Sequence, residues 1–283
     1  MGLFSFLRPK PKPYKLPIDP KRVHALHVGI NAYKRSPLQL CVNDIIAVKK
    51  LFASWGVLPE NTVTLLDREA TTAAIKNALQ DGVDKLKHGD CFVVQYSGHG
   101  SNLPCEQELD GNMEIICPVD IEEDFEQNNV PDWFIGDIAH QVTEKGATMY
   151  LLPFDCCHTG GITRDLLGGK KPKAALEGAR YLPAPKKARY RGEVRRFKDE
   201  DKETNRIVAI GGCEAGEVSY EYSEAKHGAA TWALLDAVKN GLPTPRALHK
   251  SIYNQVQGAF PTQHPVLEGN EAYFDIPYFT EPK

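Results

Sequence analysis

From residue 23 onward, short and nearly unbroken apolar runs alternate with stretches whose apolar residues recur at helical spacing. Strands that are apolar along their whole length bury both faces. An antiparallel sheet with one wet face does not ask for that, so the pattern predicts a mostly parallel sheet covered by helices on both sides. The strand-like runs are "VHALHVGI" (23–30), "TVTLLD" (62–67), "DCFVVQYSGHG", "MEIICPVD", "TMYLLPFD" and "RIVAIGGC". Between and after them lie helical patterns, beginning with "NDIIAVKKLFASWG". Its residues Ile45, Ile46, Val48, Leu51, Phe52 and Trp55 share a face, Asn43 and Asp44 stand where caps are expected, and Gly56 marks a stop. Further helices are expected in "TTAAIKNALQDGVDKLKHG", "PDWFIGDIAHQVTEKG", "GAATWALLDAVKNG" and "TPRALHKSIYNQV". The fold class is α/β, a three-layer α/β/α arrangement.

In such sheets ligands bind beyond the carboxyl ends of the strands. That rule singles out Asn31, Cys41 and Asp44 after the first strand. It also selects Ser97, Gly98, His99 and Gly100 after the third, and Asp155, Cys156, Cys157 and His158 after "TMYLLPFD".

A chain of 283 residues with 42% hydrophobic and 25% charged residues is an ordinary soluble composition. Its net charge of −3 exerts no global pull toward nucleic acid or acidic membranes. The seven cysteines include no C-x-x-C pair, and an odd count fits free thiols in a reducing, cytoplasmic setting. Residues 1–20 read as a Pro-rich, basic, poorly packed leader, too short in apolar residues for a membrane span. Phe6 stands where a myristoylation pattern wants Ser or Thr. Residues 21–283 are then one domain.

Cysteine attacks carbonyls as thiolate and needs a histidine to take its proton. His99 and Cys157 each lie just past a buried strand, with Gly98, Gly100, Gly160 and Gly161 beside them. If the strands are neighbours, both side chains reach one crevice, where small residues let a substrate backbone approach and free N–H groups bind a developing oxyanion. A Cys–His pair of this kind suits acyl transfer, above all peptide hydrolysis. The ordinary alternative is a small cysteine packed in the core. Strand-end logic alone leaves Cys156 and Cys157 equally open.

The motifs "YSGHG" (96–100) and "DCCHTGG" (155–161) resemble the two active-site motifs of the metacaspases and their bacterial relatives, within the caspase-like cysteine peptidases. "HALHVGINAY…LQLCVNDI", "ICPVD" (116–120), "GAATWALLDAV" (228–238) and "QHPVLEG" (263–269) follow in the family's order. The resemblance implies a caspase-like fold, a monomer, and Cys157 as nucleophile with His99 as general base. It makes Cys156 a packing residue; His158, directly after the nucleophile, is expected to point away from the first proton transfer. It places the oxyanion hole at the backbone N–H groups of Gly100 and Cys157. It maps an acidic S1 pocket onto Asp44 and Asp155, lined by Cys41 and Ser97. Two carboxylates at the floor of a crevice want a cation that donates paired hydrogen bonds, so cleavage after Arg or Lys is expected.

One stretch breaks the alternation. Residues 168–200 hold strand or helix periodicity nowhere for long, and between Lys170 and Lys198 eleven Lys/Arg face only Glu177 and Glu193. A connection of this kind is functional or disordered. The family's habit of cutting itself between the nucleophile strand and the next core strand implies a self-cleavage loop. A solvated loop and an acidic-partner patch are the alternatives, with few aromatics to support nucleic-acid binding. Many metacaspases use calcium, and Asp110, Glu114 and Asp137 are the candidate ligands here. The family's paired Asp near "FIGDIA" is reduced to Gly136–Asp137, and the expectation is that no cofactor is required. The rival to a peptidase is a catalytically silent scaffold that binds partners through the basic loop.

Overall fold

The computed structural model describes residues 14–108, 111–156, 178–194, 204–214 and 216–280. Its strands are β1 (Val23–Gly29), β2 (Thr62–Leu66), β3 (Cys91–Ser97), β4 (Gly100–Pro104), β5 (Asn112–Ile116), β6 (Val130–Pro131), β7 (Thr148–Asp155), β8 (Ile207–Gly211), β9 (Glu221–Tyr222), β10 (His227–Gly228) and β11 (Val266–Gly269). Its helices are α1 (Cys41–Ser54), α2 (Thr72–Lys85), α3 (Asp132–Glu144), α4 (Ala229–Ala237) and α5 (Pro245–Ala259). Six strands form one sheet in the order β11-β8-β7-β3-β1-β2. All neighbours in it are parallel except β11, which closes one edge antiparallel to β8.

The period-2 alternation of strand side chains divides the interior into two cores. Leu26, Val28, Phe92, Val94, Met149, Leu151, Ile207 and Ala209 point into one, against Ile75, Leu79 and Val83 of α2 and Ile135, Ile138 and Val142 of α3. Val23, Ala25, Val93, Tyr150, Val208 and Ile210 point into the other, against Val48 and Phe52 of α1, Ala233 and Leu234 of α4, and Leu248, Ile252 and Val256 of α5. These are the three layers the alternation predicts.

Three departures matter for the site. Residues 14–19, expected within a poorly packed leader, are docked: Leu16 is buried in the second core, and the Tyr14 ring packs edge-on to Trp55. Helix α1 begins two residues before the expected caps. Its first N–H groups, on Cys41 and Val42, are met by Asn31 Oδ1, and the Leu40 N–H by Glu221. Asn43 and Asp44 are therefore not caps, and Asp44 is free to face inward. Directly after β3 the chain turns at Gly98–His99 into β4, which pairs with β5, itself paired with β6, in a separate antiparallel sheet. Gly-Ser-Asn-Leu-Pro is too polar and too short to announce itself as a strand.

The register of β7 slips against both neighbours on its approach to Phe154. Pro153, which cannot donate to a ladder, sits at this irregularity. The slip reverses the alternation. Leu151 and Phe154 both face the first core, and Asp155 emerges on the side of α1 and α4. Among the described residues no helix is long and apolar enough to cross a membrane.

Candidate active site

His99 sits in the turn between β3 and β4 and is held from every side. Its backbone N–H donates to the Tyr33 hydroxyl at 3.0 Å, and its carbonyl accepts from the Cys117 N–H at 3.0 Å. The Tyr96 hydroxyl also reaches that carbonyl, at 2.7 Å. Tyr33 lies against the imidazole at 4.5 Å between ring centres. A side chain at Gly98 would meet both hydroxyls, 2.6 Å from that of Tyr96 and 2.7 Å from that of Tyr33, so this turn admits glycine alone.

The His99 Nε2 lies 2.7 Å from the Ser36 carbonyl. A carbonyl only accepts, so Nε2 carries the proton and Nδ1 presents a lone pair. Nδ1 is buried without a hydrogen-bond partner among the described residues. Burial pushes the ring's pKa down to about 4, opposed by the carbonyls of Ser36 and Arg180. His99 is thus a neutral base with one committed nitrogen and one open one.

The S1 residues expected from the sequence come together. Asp44, Ser97 and Asp155 are fully buried, with Cys41 beside them, and at their centre lies the guanidinium of Arg180. Arg180 Nη2 donates to Asp44 at 2.7 Å, and Nη1 reaches the Asp155 carboxylate at 2.9 Å. Nη1 also donates to the Ser97 hydroxyl at 2.9 Å and to the Asp155 carbonyl at 3.1 Å. Burial alone would raise the Asp44 carboxyl. The Arg180 charge, with hydrogen bonds from His227, Arg180 and Ser97, instead holds it below its usual value. Burial likewise works against the charged form of Arg180, yet Asp155 and Asp44 keep its pKa well above the ordinary one.

Residues 178–194, within the stretch 168–200 read as lacking periodicity, hold no helix or strand of their own, yet they are packed against the domain rather than solvated throughout. Arg180 is 0% exposed, and Leu182 and Ala188 are buried. Arg191 pairs with Glu126 at 3.0 Å, and Tyr190 accepts from the Trp133 indole at 2.8 Å. The backbone of Arg180 is seated as well as its side chain. Its N–H donates to the Ser219 carbonyl at 2.8 Å, and its carbonyl accepts from the Gly100 N–H at 3.0 Å. Gly100 N–H is the expected oxyanion donor.

Several groups around this pocket carry no sequence signal that would have drawn attention to them. The hydroxyls of Ser219 and Thr231 donate to Asp155, and the Gly228 N–H donates to Asp44. His227 Nδ1 lies 3.0 Å from Asp44. A carbon at Gly228 would stand 2.3 Å from Asp155 and 2.4 Å from Arg180 Nη1, so the pocket's depth depends on that missing side chain. "HGAATW" reads only as the start of a helix. A weak clue was its place in the order of resemblances.

Cys157 and His158 lie outside the described residues. Cys156 is 1% exposed within the first core, and burial drives its thiol pKa well up, which makes it a packing residue and no nucleophile. Among the described residues no three His, Cys, Asp or Glu side chains gather to hold a metal. Of the candidate calcium ligands, Glu114 lies on β5 and Asp137 on α3, and Asp110 lies outside the described residues.

Comparison with known proteins bears on this arrangement. Metacaspase-4 and metacaspase-7 of Arabidopsis thaliana are each 34% identical over 148 residues, 49% of this chain. Metacaspase-1 of Candida albicans is 31% identical over 50% of it. The chain spans about a third of the length of these relatives (34–35%). Among solved structures, a protein of Geobacter sulfurreducens superposes with a TM-score of 0.63 at 22% identity, over 92% of this chain and 99% of that one. Caspase-1 of Spodoptera frugiperda superposes with a TM-score of 0.56 at 11% identity, over 91% and 90%. Both likenesses concern the fold. The sequence profile of the caspase domain, Peptidase_C14, matches residues 22–276. The profile spans well over half of the molecule, and the chain therefore belongs to the caspase domain family.

Proposed function

We propose that the protein is a cysteine endopeptidase that cuts after Arg or Lys, and that its own Arg180–Tyr181 bond is its first substrate. One observation carries this reading. Arg180 fills a pocket floored by two carboxylates while its carbonyl oxygen rests on the Gly100 N–H, beside His99. Side chain and carbonyl are held together in the way a bound P1 residue requires.

In this mechanism His99 Nδ1 takes the thiol proton of Cys157, and the thiolate attacks the Arg180 carbonyl carbon. The charge that develops on the oxygen is met by the Gly100 and Cys157 N–H groups. Collapse breaks the Arg180–Tyr181 bond as His99 returns its proton to the Tyr181 nitrogen. The thioester at Arg180 is then hydrolysed by a water from which His99 removes a proton. After departure of Arg180, Asp44 and Asp155 are left facing each other across an emptied pocket, and a substrate cation relieves that repulsion. Every group in this scheme belongs to one chain, which supports a monomer as the active unit.

Incubation of wild type beside Cys157→Ala and Arg180→Gln tests the proposal. Wild type is expected to yield a fragment whose N-terminus is Tyr181, and both variants to stay intact at that bond. Peptides with Arg or Lys before the cut should be hydrolysed and the matched Asp peptides should not. Equal fragmentation of wild type and Cys157→Ala, or hydrolysis after Asp alone, would sink it.

A further inference from the structure

The residues that follow Arg180 are placed as deliberately as Arg180 itself. β4 pairs with β5 along one edge, from Gly100 opposite Ile116 to Pro104 opposite Asn112. Along its other edge the chain's own 181–182 segment is laid parallel, with Tyr181 bridged to Gly100. The Leu182 N–H donates to the Gly100 carbonyl at 3.0 Å, and the Ser101 hydroxyl donates to the Leu182 carbonyl at 2.6 Å. Ser101 is itself fully buried. The Leu182 side chain is 3% exposed and joins the first core. Tyr181 is only half-buried.

An edge strand offers unpaired N–H and C=O groups, and peptides are bound by adding a strand to such an edge. Backbone bonds set the register, and pockets for alternate side chains supply the selectivity. We infer that the β4 edge is a substrate subsite for the residues after the cut, and that it reads an apolar, Leu-sized side chain at the second of them. The inference rests on cleavage after Arg and extends it from one residue to a sequence of the form Ala-Arg-Tyr-Leu, cut after Arg. The backbone contacts at Gly100 and Ser101 hold any peptide that extends this far. The apolar site then rejects Asp, because a carboxylate buried there leaves its charge without a partner.

The test uses internally quenched peptides Ala-Arg-Tyr-Xaa-Gly with Leu, Ala or Asp at Xaa, and a short peptide ending at Tyr. Wild type after self-cleavage is compared with Leu182→Gly, in which the protein's own competitor for the edge is weakened. The Leu peptide is expected to exceed the Asp peptide by about tenfold or more in kcat/KM, with Ala between. The Leu peptide should also exceed the short one, and that gain should shrink in Ser101→Ala. Equal kcat/KM for Leu, Ala and Asp in both proteins would overturn the subsite while leaving cleavage after Arg intact. A loss in Ser101→Ala that is equal on short and long peptides would do the same for the Ser101 contact. If no peptide is cut, the short one included, cleavage after Arg falls and the subsite with it.

Discussion

Asp44, Asp155 and Arg180 make a buried cluster with one more negative charge than positive, stabilised by hydroxyl and N–H donors from Ser97, Ser219, Gly228 and Thr231. Breaking one side of a buried ion pair strands the other charge, at a cost of about 3–5 kcal/mol. Arg180→Gln, which leaves both carboxylates without their cation, is therefore expected to destabilise the uncut protein by about that much, read as a lower urea midpoint. The double variant Arg180→Gln with Asp44→Asn should recover part of the loss, because only Asp155 is then left without its cation. Additive losses would contradict the coupling. The two acids were legible as a pair that wants a cation. Arg180 was not. It is one of eleven basic residues in its stretch, and its partner Asp44 lies 136 positions away. Nothing local marks which arginine is drawn inside.

At the scale of elements, α1 presents Cys41 and Asp44 to the pocket, and its first turn is anchored from outside the helix by Asn31 and Glu221. Loss of a capping side chain costs about 1 kcal/mol. Asn31→Ala should lower stability by that amount and raise KM for Arg peptides more than it lowers kcat, since the P1 pocket is loosened while His99 is untouched. An unchanged KM would show that the cap does not position the pocket. The long, mostly apolar elements β1, β3, β7 and β8 could be read from sequence because burial on both faces keeps the run apolar with few interruptions, such as His27 and Gln95. β4, β9 and β10 escaped, being short and composed of residues chosen for bonding and close approach. The caps of α1 escaped because they come from outside the helix, in one case from a residue 181 positions distant from its partner.

At the scale of the whole molecule, two fully buried imidazoles set the response to acid. Burial pushes His27 down to about 4, and His99 likewise, while desolvation also lowers His24 and His249. The unfolded chain binds protons at these rings near pH 6.5, before the folded chain does. Stability is then fully present above about pH 6.5 and is lost as pH falls toward 4, by about 3 kcal/mol at full effect for His27. Urea midpoints between pH 7.5 and 4.5 should fall accordingly, and less steeply in His27→Gln. Identical slopes in both proteins would remove His27 from the account.

The strand order carries a last consequence. The Arg180–Tyr181 bond lies between β7 and β8, which are hydrogen-bonded neighbours inside the main sheet. Fragment 1–180 would keep β7, β3, β1 and β2, and fragment 181–283 would keep β8 and β11, with α4 and α5 packed under both. A nick at this bond thus releases no piece. It converts one polypeptide into two that remain interleaved through a shared sheet, migrating as two bands under denaturing conditions and eluting as one peak from a sizing column.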